Sequence, residues 1–432
     1  MEQLSDEQRN VLQACLQGKN VFMSGPGGCG KTYLIRYIYE SMKKQKHVQV
    51  CALTGCAAEL LDCSAKTIHS WSGTKLNDNY KKVILRKQDI SKWKKIQLLI
   101  IDEVSMMSVK YFELLDTIGK KVRKNNKPFG GIQLLFSGDF HQLPPVGSES
   151  DPQTCEFCFQ SKLWNETFHE VILLQTIFRQ NDKTFLKILR QIRRGGLTQK
   201  SYDLLLKRKL TKDNNLLKNK HIKPTMVCPL KRKVKQINDE NLKNITTEII
   251  KFPCQINTIY DHSLLSFSDK KIKYEIDKCK KNMVCDDILH LKIGSRVMCI
   301  INLQMARKDN KQIVNGSQGI VENIVDGIPL IRFDNGILQL MEPYTWENEA
   351  SDDLMITIKQ IPLILSWAIT IHKSQGITLD SAIIDAGDNI FEYGQIYVAL
   401  SRVRSLDGLY LCEFNGRKIM TNPEVIKYYS SL

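Results

Sequence analysis

The sequence predicts an α/β protein of two parallel-sheet lobes, with a small wedge insertion in the first and a small β-barrel inserted in the second. Three observations carry that prediction. A glycine-rich loop, Gly25-Pro26-Gly27-Gly28-Cys29-Gly30-Lys31-Thr32, lies between the apolar run Val21-Phe22-Met23 and the helix-patterned Tyr33-Leu34-Ile35-Arg36-Tyr37-Ile38. Two further apolar runs, Ile96-Gln97-Leu98-Leu99-Ile100-Ile101 and Ile132-Gln133-Leu134-Leu135-Phe136-Ser137, end abruptly in polar turns, as buried parallel strands do. Near the other end of the chain, Val398-Ala399-Leu400-Ser401-Arg402 supplies an arginine from a distant segment. Such an arginine suits a ligand held between two lobes.

The first element is a complete GxxxxGKT P-loop in the strand, loop, helix context that a phosphate cradle requires. The glycines at 25, 27, 28 and 30, with Pro26 and Cys29 between them, let backbone N–H groups converge on phosphate oxygens. Lys31 brings a point charge to the β and γ groups, and Thr32 offers a hydroxyl to magnesium. The motif predicts a nucleoside triphosphatase and nothing narrower.

The run 96–101 ends in Asp102-Glu103. Carboxylates at the carboxyl end of such a strand lie where an open α/β sheet binds its ligand. Asp102 would hold Mg2+ through water and Glu103 would polarise the attacking water; the bland alternative is an acidic turn after a core strand. The run 132–137 leads into Gly138-Asp139-Phe140-His141-Gln142-Leu143-Pro144-Pro145. Here Gln142 can hydrogen-bond a γ-phosphate or its water, and the two prolines stiffen the exit.

Composition sets the outer limits. The chain has 432 residues, 42% hydrophobic and 25% charged, enough for two to four domains. No apolar run approaches the roughly 20 residues of a membrane span, and the polar start Met1-Glu2-Gln3-Leu4-Ser5-Asp6 does not read as a signal peptide. A soluble intracellular protein is expected. The formal net charge is +16, with lysine-rich runs at 92–95, 120–124 and 231–235. That surplus favours a polyanionic partner, because each neutralised phosphate releases condensed counterions; taken singly, each run is also what a solvated helix face looks like. The thirteen cysteines are expected to be reduced, and neither Cys29 nor the pair Cys155 and Cys158 is assigned a catalytic role.

These segments resemble the PIF-type DNA helicases, relatives of RecD in superfamily 1, class B. The resemblance runs from Leu4 to about Glu413 through Leu4-Ser5-Asp6-Glu7-Gln8, Thr54-Gly55-Cys56-Ala57-Ala58, Thr67-Ile68-His69-Ser70, Asp102-Glu103-Val104-Ser105-Met106 and the 138–145 run. It continues with Ile177-Phe178-Arg179-Gln180, Val314-Asn315-Gly316-Ser317, Trp367-Ala368-Ile369-Thr370-Ile371-His372-Lys373-Ser374-Gln375-Gly376 and Tyr397-Val398-Ala399-Leu400-Ser401-Arg402. It implies RecA-like motor domains, ATP and Mg2+ as cofactors, Gln8 as adenine reader, and Gln375 and Gly376 beside the nucleotide. It also implies that Thr54, Thr67, His69 and His372 lie along single-stranded DNA. Cys56 stands where the family usually has an aliphatic residue, and Leu230-Lys231 replaces a common Thr-Asn pair, so the latter segment is assigned no DNA contact.

The remaining assignments follow. Arg179 and Arg402 are the candidates to stabilise the charge that phosphoryl transfer spreads over equatorial oxygens. Trp71 or Phe140 is the candidate for base stacking, which is sequence-tolerant; the alternative is that both are core. Residues 1–178 are expected to form the first RecA-like domain with the wedge near 70–93, residues 179–290 and 361–432 the second, and residues 291–360 the β-barrel, where Asp334-Asn335-Gly336 marks a hairpin. The fold of 240–290 stays open. The expected activity is ATP-dependent 5′ to 3′ translocation on single-stranded DNA with unwinding of forked or tailed duplexes, in replication, repair, recombination or telomere maintenance, by a motor expected to be monomeric. The alternatives are a superfamily 1 RNA helicase and a DNA-binding NTPase that loads or regulates without unwinding.

Overall fold

A computed structural model describes the chain except residues 1–3, 62, 75–84, 86, 149, 212–215, 218–223, 261–271, 274–275, 278, 281–282, 284, 304–311 and 352–353. Eleven of the 24 residues of the predicted wedge excursion, 75–84 and 86, therefore lie outside the described residues. Two compact units form: residues 1–85, 89–230 and 370–432 in one, and 86–88 with 231–369 in the other.

The first unit is built on six parallel strands: β1 Val21–Ser24, β2 Val48–Ala52, β3 Lys66–Thr67, β4 Leu98–Asp102, β5 Gln133–Gly138 and β6 Glu170–Leu173. Their order is β3-β2-β4-β5-β1-β6. Every residue of β1, β4 and β5 is buried, which is why these strands read as continuous apolar runs. The period-two alternation of a strand sorts their side chains to two cores. Phe22, Leu99, Ile101, Leu134 and Phe136 join an aromatic-rich core with Phe112, Phe129 and Trp164. Val21, Met23, Leu98, Ile100 and Leu135 face the aliphatic side of the helices Asp6–Leu16 and Lys31–Met42.

Because all six strands run the same way, their carboxyl ends form one edge. The P-loop follows β1 there, Thr54 follows β2, Thr67 ends β3, Asp102 ends β4 and Gly138 ends β5. Ligands of open parallel sheets bind at this edge. A second parallel set in the same unit, Thr225–Cys228, Ala382–Ala386 and Leu409–Phe414, has the middle strand paired to both others. Val227, Ala382, Ile384, Ala386, Leu409 and Leu411 are among its fully buried side chains.

The other unit contains antiparallel β-strands and the helix Lys231–Asn244. Five strands align in the order Leu338–Leu340, Ile328–Phe333, Gln318–Val325, Arg296–Cys299 and Leu363–Leu365. Gly336 donates its N–H to Phe333 at 2.8 Å, closing the hairpin predicted at Asp334-Asn335-Gly336. Gln255–Tyr260 pairs with Leu354–Gln360, and Ile250–Pro253 with Ile288–Leu291. Part of the segment whose fold stayed open in the sequence thus belongs to this β unit. Among the described residues no helix is long and apolar enough to cross a membrane.

Candidate nucleotide site

The loop 25–30 leaves β1 and delivers Lys31 to the first position of the helix Lys31–Met42. The Lys31 ammonium donates to the carbonyl oxygens of Gly25 and Pro26 at 2.7 and 3.1 Å. Gly28 sits at φ +86°, and a Cβ there would come within 2.5 Å of the Arg179 Cβ. Only glycine tolerates both the backbone angle and that approach. Arg179 is brought there by its own backbone, since the Phe178 N–H donates to the Gly28 carbonyl at 2.8 Å.

Arg402 reaches the same loop at Gly27. A Cβ on Gly27 would lie 3.3 Å from its Nη2, and its guanidinium is fixed by the Val398 carbonyl at 2.9 Å and the Ser401 hydroxyl at 2.8 Å. Arg179 donates to the Ser401 carbonyl at 3.1 Å, and the Gln180 amide donates to the carbonyls of Ser401 and Val403, both at 3.1 Å. These bonds tie the segment 177–180 to 398–403, with the Arg179 side chain against Gly28 and the Arg402 guanidinium against Gly27 of one P-loop. Burial, and then the charge of Arg402, push Arg179 below its ordinary value; burial pushes Arg402 down as well.

Asp102 and Glu103 end β4 beside this cluster. Burial raises the Asp102 carboxyl, with the Ser137 hydroxyl and Lys31 opposing. Glu103 is raised to about 7 by burial and by the Asp102 charge, against Lys31, Arg402 and the Gln375 amide. Its backbone is left-handed, φ 56° and ψ 39°, a conformation that costs a non-glycine residue about 1–3 kcal/mol and clusters at functional sites. One oxygen of each carboxylate, Asp102 Oδ1 and Glu103 Oε2, is buried without a hydrogen-bond partner. Such orphaned carboxylate oxygens fit a hydrated divalent cation, which takes oxygen ligands and keeps several waters. Thr32, second residue of its helix and half-buried, completes the predicted metal set.

Gln142 is 3% exposed, and its Oε1 is likewise buried and unpartnered. Its segment abuts Gly394, where a Cβ would lie 2.5 Å from the carbonyl oxygens of His141 and Gln142. Gly394 is the N-cap of Gln395–Leu400, the helix that leads to Arg402. Displacement of the Gln142 loop therefore meets that helix directly. Gly376 accepts from Arg179 at 3.5 Å, so Gln375 and Gly376 join the cluster. Gln8 caps its own helix reciprocally with Ser5 and brings its amide to within 3.5 Å of the Cys29 carbonyl. Burial raises the Cys29 thiol, which disfavours the reactive thiolate.

The expected DNA contacts fall into two groups. Thr54 and Thr67 are half-buried at the carboxyl edge, and their hydroxyls accept from Ala57 and Ser70 N–H as helix caps. His69 stacks on Tyr111 with centroids 4.5 Å apart, and His372 is half-buried in the turn before Gln375. Trp71 and Phe140 do not present rings to a base, which corrects the stacking expectation. Trp71 is 3% exposed against Trp93, and Phe140 is 1% exposed among Phe22, Phe159 and Tyr428. An indole and a phenyl with apolar neighbours available are worth more in the core than in water.

Two residues of the cluster carried no role in the sequence. Phe178 is 54% exposed, with its ring edge 3.5 Å from where a Cβ on Gly30 would lie and Gln8 on the same glycine. The Tyr397 hydroxyl accepts the Gly27 N–H at 3.0 Å. Phe178 is recognisable only as an aromatic residue in a polar loop; the apolar neighbours of Tyr397 make it read as core.

The family model described as PIF1-like helicase matches residues 3–203. The zebrafish (Danio rerio) protein named ATP-dependent DNA helicase PIF1 is 35% identical over 444 residues, covering 100% of this chain, and this chain spans 64% of that protein's length. The crystal structure of the Pif1 helicase from Candida albicans is 33% identical, covers 100% of both chains and superposes with a TM-score of 0.79. The Bacteroides Pif1 structure in complex with ADP-AlF3 and ssDNA is 30% identical, covers 100% of this chain and 97% of its own, with a TM-score of 0.71. The P-loop bracketed by Arg179 and Arg402 and the matches along the whole length agree: the chain belongs to the PIF1-like helicase family.

Proposed function

We propose that the protein is an ATP-hydrolysing DNA helicase that translocates 5′ to 3′ on single-stranded DNA and unwinds tailed or forked duplexes. The observation that carries this reading is the convergence of Lys31, Glu103, Arg179 and Arg402 on one P-loop. Three cations surround two carboxyls that burial biases toward neutrality, so the pocket favours a polyphosphate. Lys31 exchanges its carbonyl partners for phosphate oxygens, Glu103 in its ionised form takes the proton of the attacking water, and the two arginines hold the charge of the transferring group. Thr32 and Asp102 would hold a magnesium ion, which would supply charge neutralisation at the phosphates. Phe178 provides a face for the base, and Gln8 an amide at its edge.

In this reading residues 1–178 are the first motor lobe, with the wedge near 70–93. Residues 179–290 with 361–432 are assigned to the second lobe and 291–360 to the inserted β-barrel, while the compact β unit itself takes in 231–369. Gln142 passes the state of the γ-phosphate to the Gly394 cap and so to Arg402. The single strand runs along the carboxyl edge past Thr54, Thr67, His69 and His372; a solved relative named as a complex with ssDNA supports that partner. Polarity is tested with matched 5′-tailed and 3′-tailed duplexes, and with RNA against DNA as activator of ATP turnover. Unwinding from the 3′ tail alone, or stimulation by RNA and not DNA, overturns the reading.

A further inference from the structure

The edge of the first sheet opposite the P-loop carries a second cationic feature that the motor chemistry does not use. A cavity of about 580 Å3 opens there, lined by Lys43, Lys44, Lys46, His47, Lys92 and Lys95 with no carboxylate in its wall. These residues come from two segments remote in sequence. One precedes β2 and the other precedes β4, so the cavity lies at the amino ends of the strands, about 16 Å from the carboxyl edge along a five-residue strand.

The two walls are cross-tied. The Gln97 and Leu98 N–H groups donate to the His47 carbonyl at 2.9 and 3.1 Å, and the His47 N–H donates to Gln97 Oε1 at 2.9 Å. Arg123 fixes the second segment by donating to the carbonyls of Trp93, Lys94 and Ile96, each at 3.0 Å. The lysine-rich run at 120–124 is thus partly spent inside the fold: Arg123 here, and Lys120 on Asp116 at 2.7 Å. Of the cavity's lysines, Lys43 is paired with Glu40 at 2.6 Å and Lys92 with Asp89 at 3.5 Å, while Lys44 and Lys95 are exposed on one concave surface.

From this geometry we infer that the cavity is a docking site for the phosphate backbone of duplex DNA, distinct from the single-strand track. Single-strand sites pair a basic groove with exposed aromatic faces. Here Trp71 is 3% exposed and Tyr39 is half-buried beneath the Lys43 ammonium, 5.1 Å from its ring centroid. The contacts available are to phosphates and not to bases, and a rigid pair of cationic walls matches a rigid phosphate array. In sequence, Trp71 and Lys92 lie near the two ends of the excursion assigned as the wedge. The inference rests on the helicase reading for its choice of duplex arm.

The test uses a blunt DNA duplex, the same duplex with a 5′ tail, and the tail alone. Lys43→Gln/Lys44→Gln/Lys95→Gln should bind the blunt and tailed duplexes about tenfold more weakly near physiological salt. The slope of log K against log salt for the duplex should fall by about 2–3, near 0.9 per lost phosphate contact. Binding of the tail alone and tail-stimulated ATP turnover should stay within about twofold. Lys44→Glu/Lys95→Glu, on exposed residues, should lose duplex affinity further while keeping the wild-type melting profile. Unchanged duplex affinity overturns the inference, and so does an equal loss on the tail alone, which would move these lysines to the single-strand track. A wild-type protein whose ATP turnover ignores the tail refutes the helicase reading instead, while the duplex comparison still decides the cavity.

Discussion

Replacing Arg193 by methionine should destabilise the fold by about 3–5 kcal/mol, because it strips a fully buried carboxylate of its partner. Asp139, 0% exposed, is held by Arg193 through Nε at 3.1 Å and Nη2 at 2.8 Å. The guanidinium, 20% exposed, also lies over the Tyr429 ring at 5.4 Å. Burial works to raise the Asp139 carboxyl, yet the charge and hydrogen bonds of Arg193 hold it down at about 2. Against an ordinary value near 3.9, that depression is worth about 2–3 kcal/mol at neutral pH. The folded value is the lower one, so this contribution is complete above about pH 4 and is lost as pH falls toward 2. Urea unfolding followed by tryptophan fluorescence and far-UV circular dichroism measures the loss. The gap between wild type and Arg193→Met should narrow from pH 4 to pH 2. Asp139→Leu/Arg193→Met should be less destabilised than the single changes imply, with a coupling of about 2 kcal/mol or more. A single variant within about 1 kcal/mol of wild type, or a gap that does not change with pH, refutes the reasoning.

Lys31→Ala and Glu103→Gln should abolish ATP turnover, the latter by about 10²–10⁴-fold as for a lost general base, with single-strand binding kept within several-fold; turnover by either folded variant contradicts the assignment. Arg402→Ala should lower turnover by about 10³-fold or more, whereas Gln142→Ala should keep partial ATPase with a larger loss of unwinding, and normal hydrolysis in the former ends the idea of a transition-state arginine. Glu103 sits at about 7 in the folded protein, and its ionised form is the base, so kcat/KM for ATP should fall as pH drops below about 7 and level off above it. A flat profile from pH 6 to 8 would count against that role. Phe178→Ala should raise KM for ATP about tenfold while changing kcat little, as for a lost stacking face; an unchanged KM removes the base platform.

The P-loop, the acidic end of β4 and the distal arginine were legible because each has a fixed local pattern. GxxxxGKT requires glycine at set positions, a parallel strand buried on both faces reads as an unbroken apolar run, and Asp102-Glu103 interrupts one at its carboxyl end. The hairpin at Asp334-Asn335-Gly336 was legible for the same reason, since the turn depends on backbone freedom at adjacent residues.

Whatever depended on facing partners was not. Trp71 and Phe140 looked available for stacking because a sequence does not say which aromatic ring finds a core; Trp93 in one case and Tyr428 in the other decide it. The hydroxyl of Tyr397 reaches the Gly27 amide across 370 residues of chain, a separation no local pattern encodes. The pairing of Gln255–Tyr260 with Leu354–Gln360 is likewise set by long-range register. Local backbone chemistry and hydrophobic period therefore determined the cradle and the strands that carry it. The tertiary structure alone decided which charges converge there, which rings are buried, and which lysines are spent on the fold or left facing solvent, because burial and Coulomb energy depend on distances that only the packed chain defines.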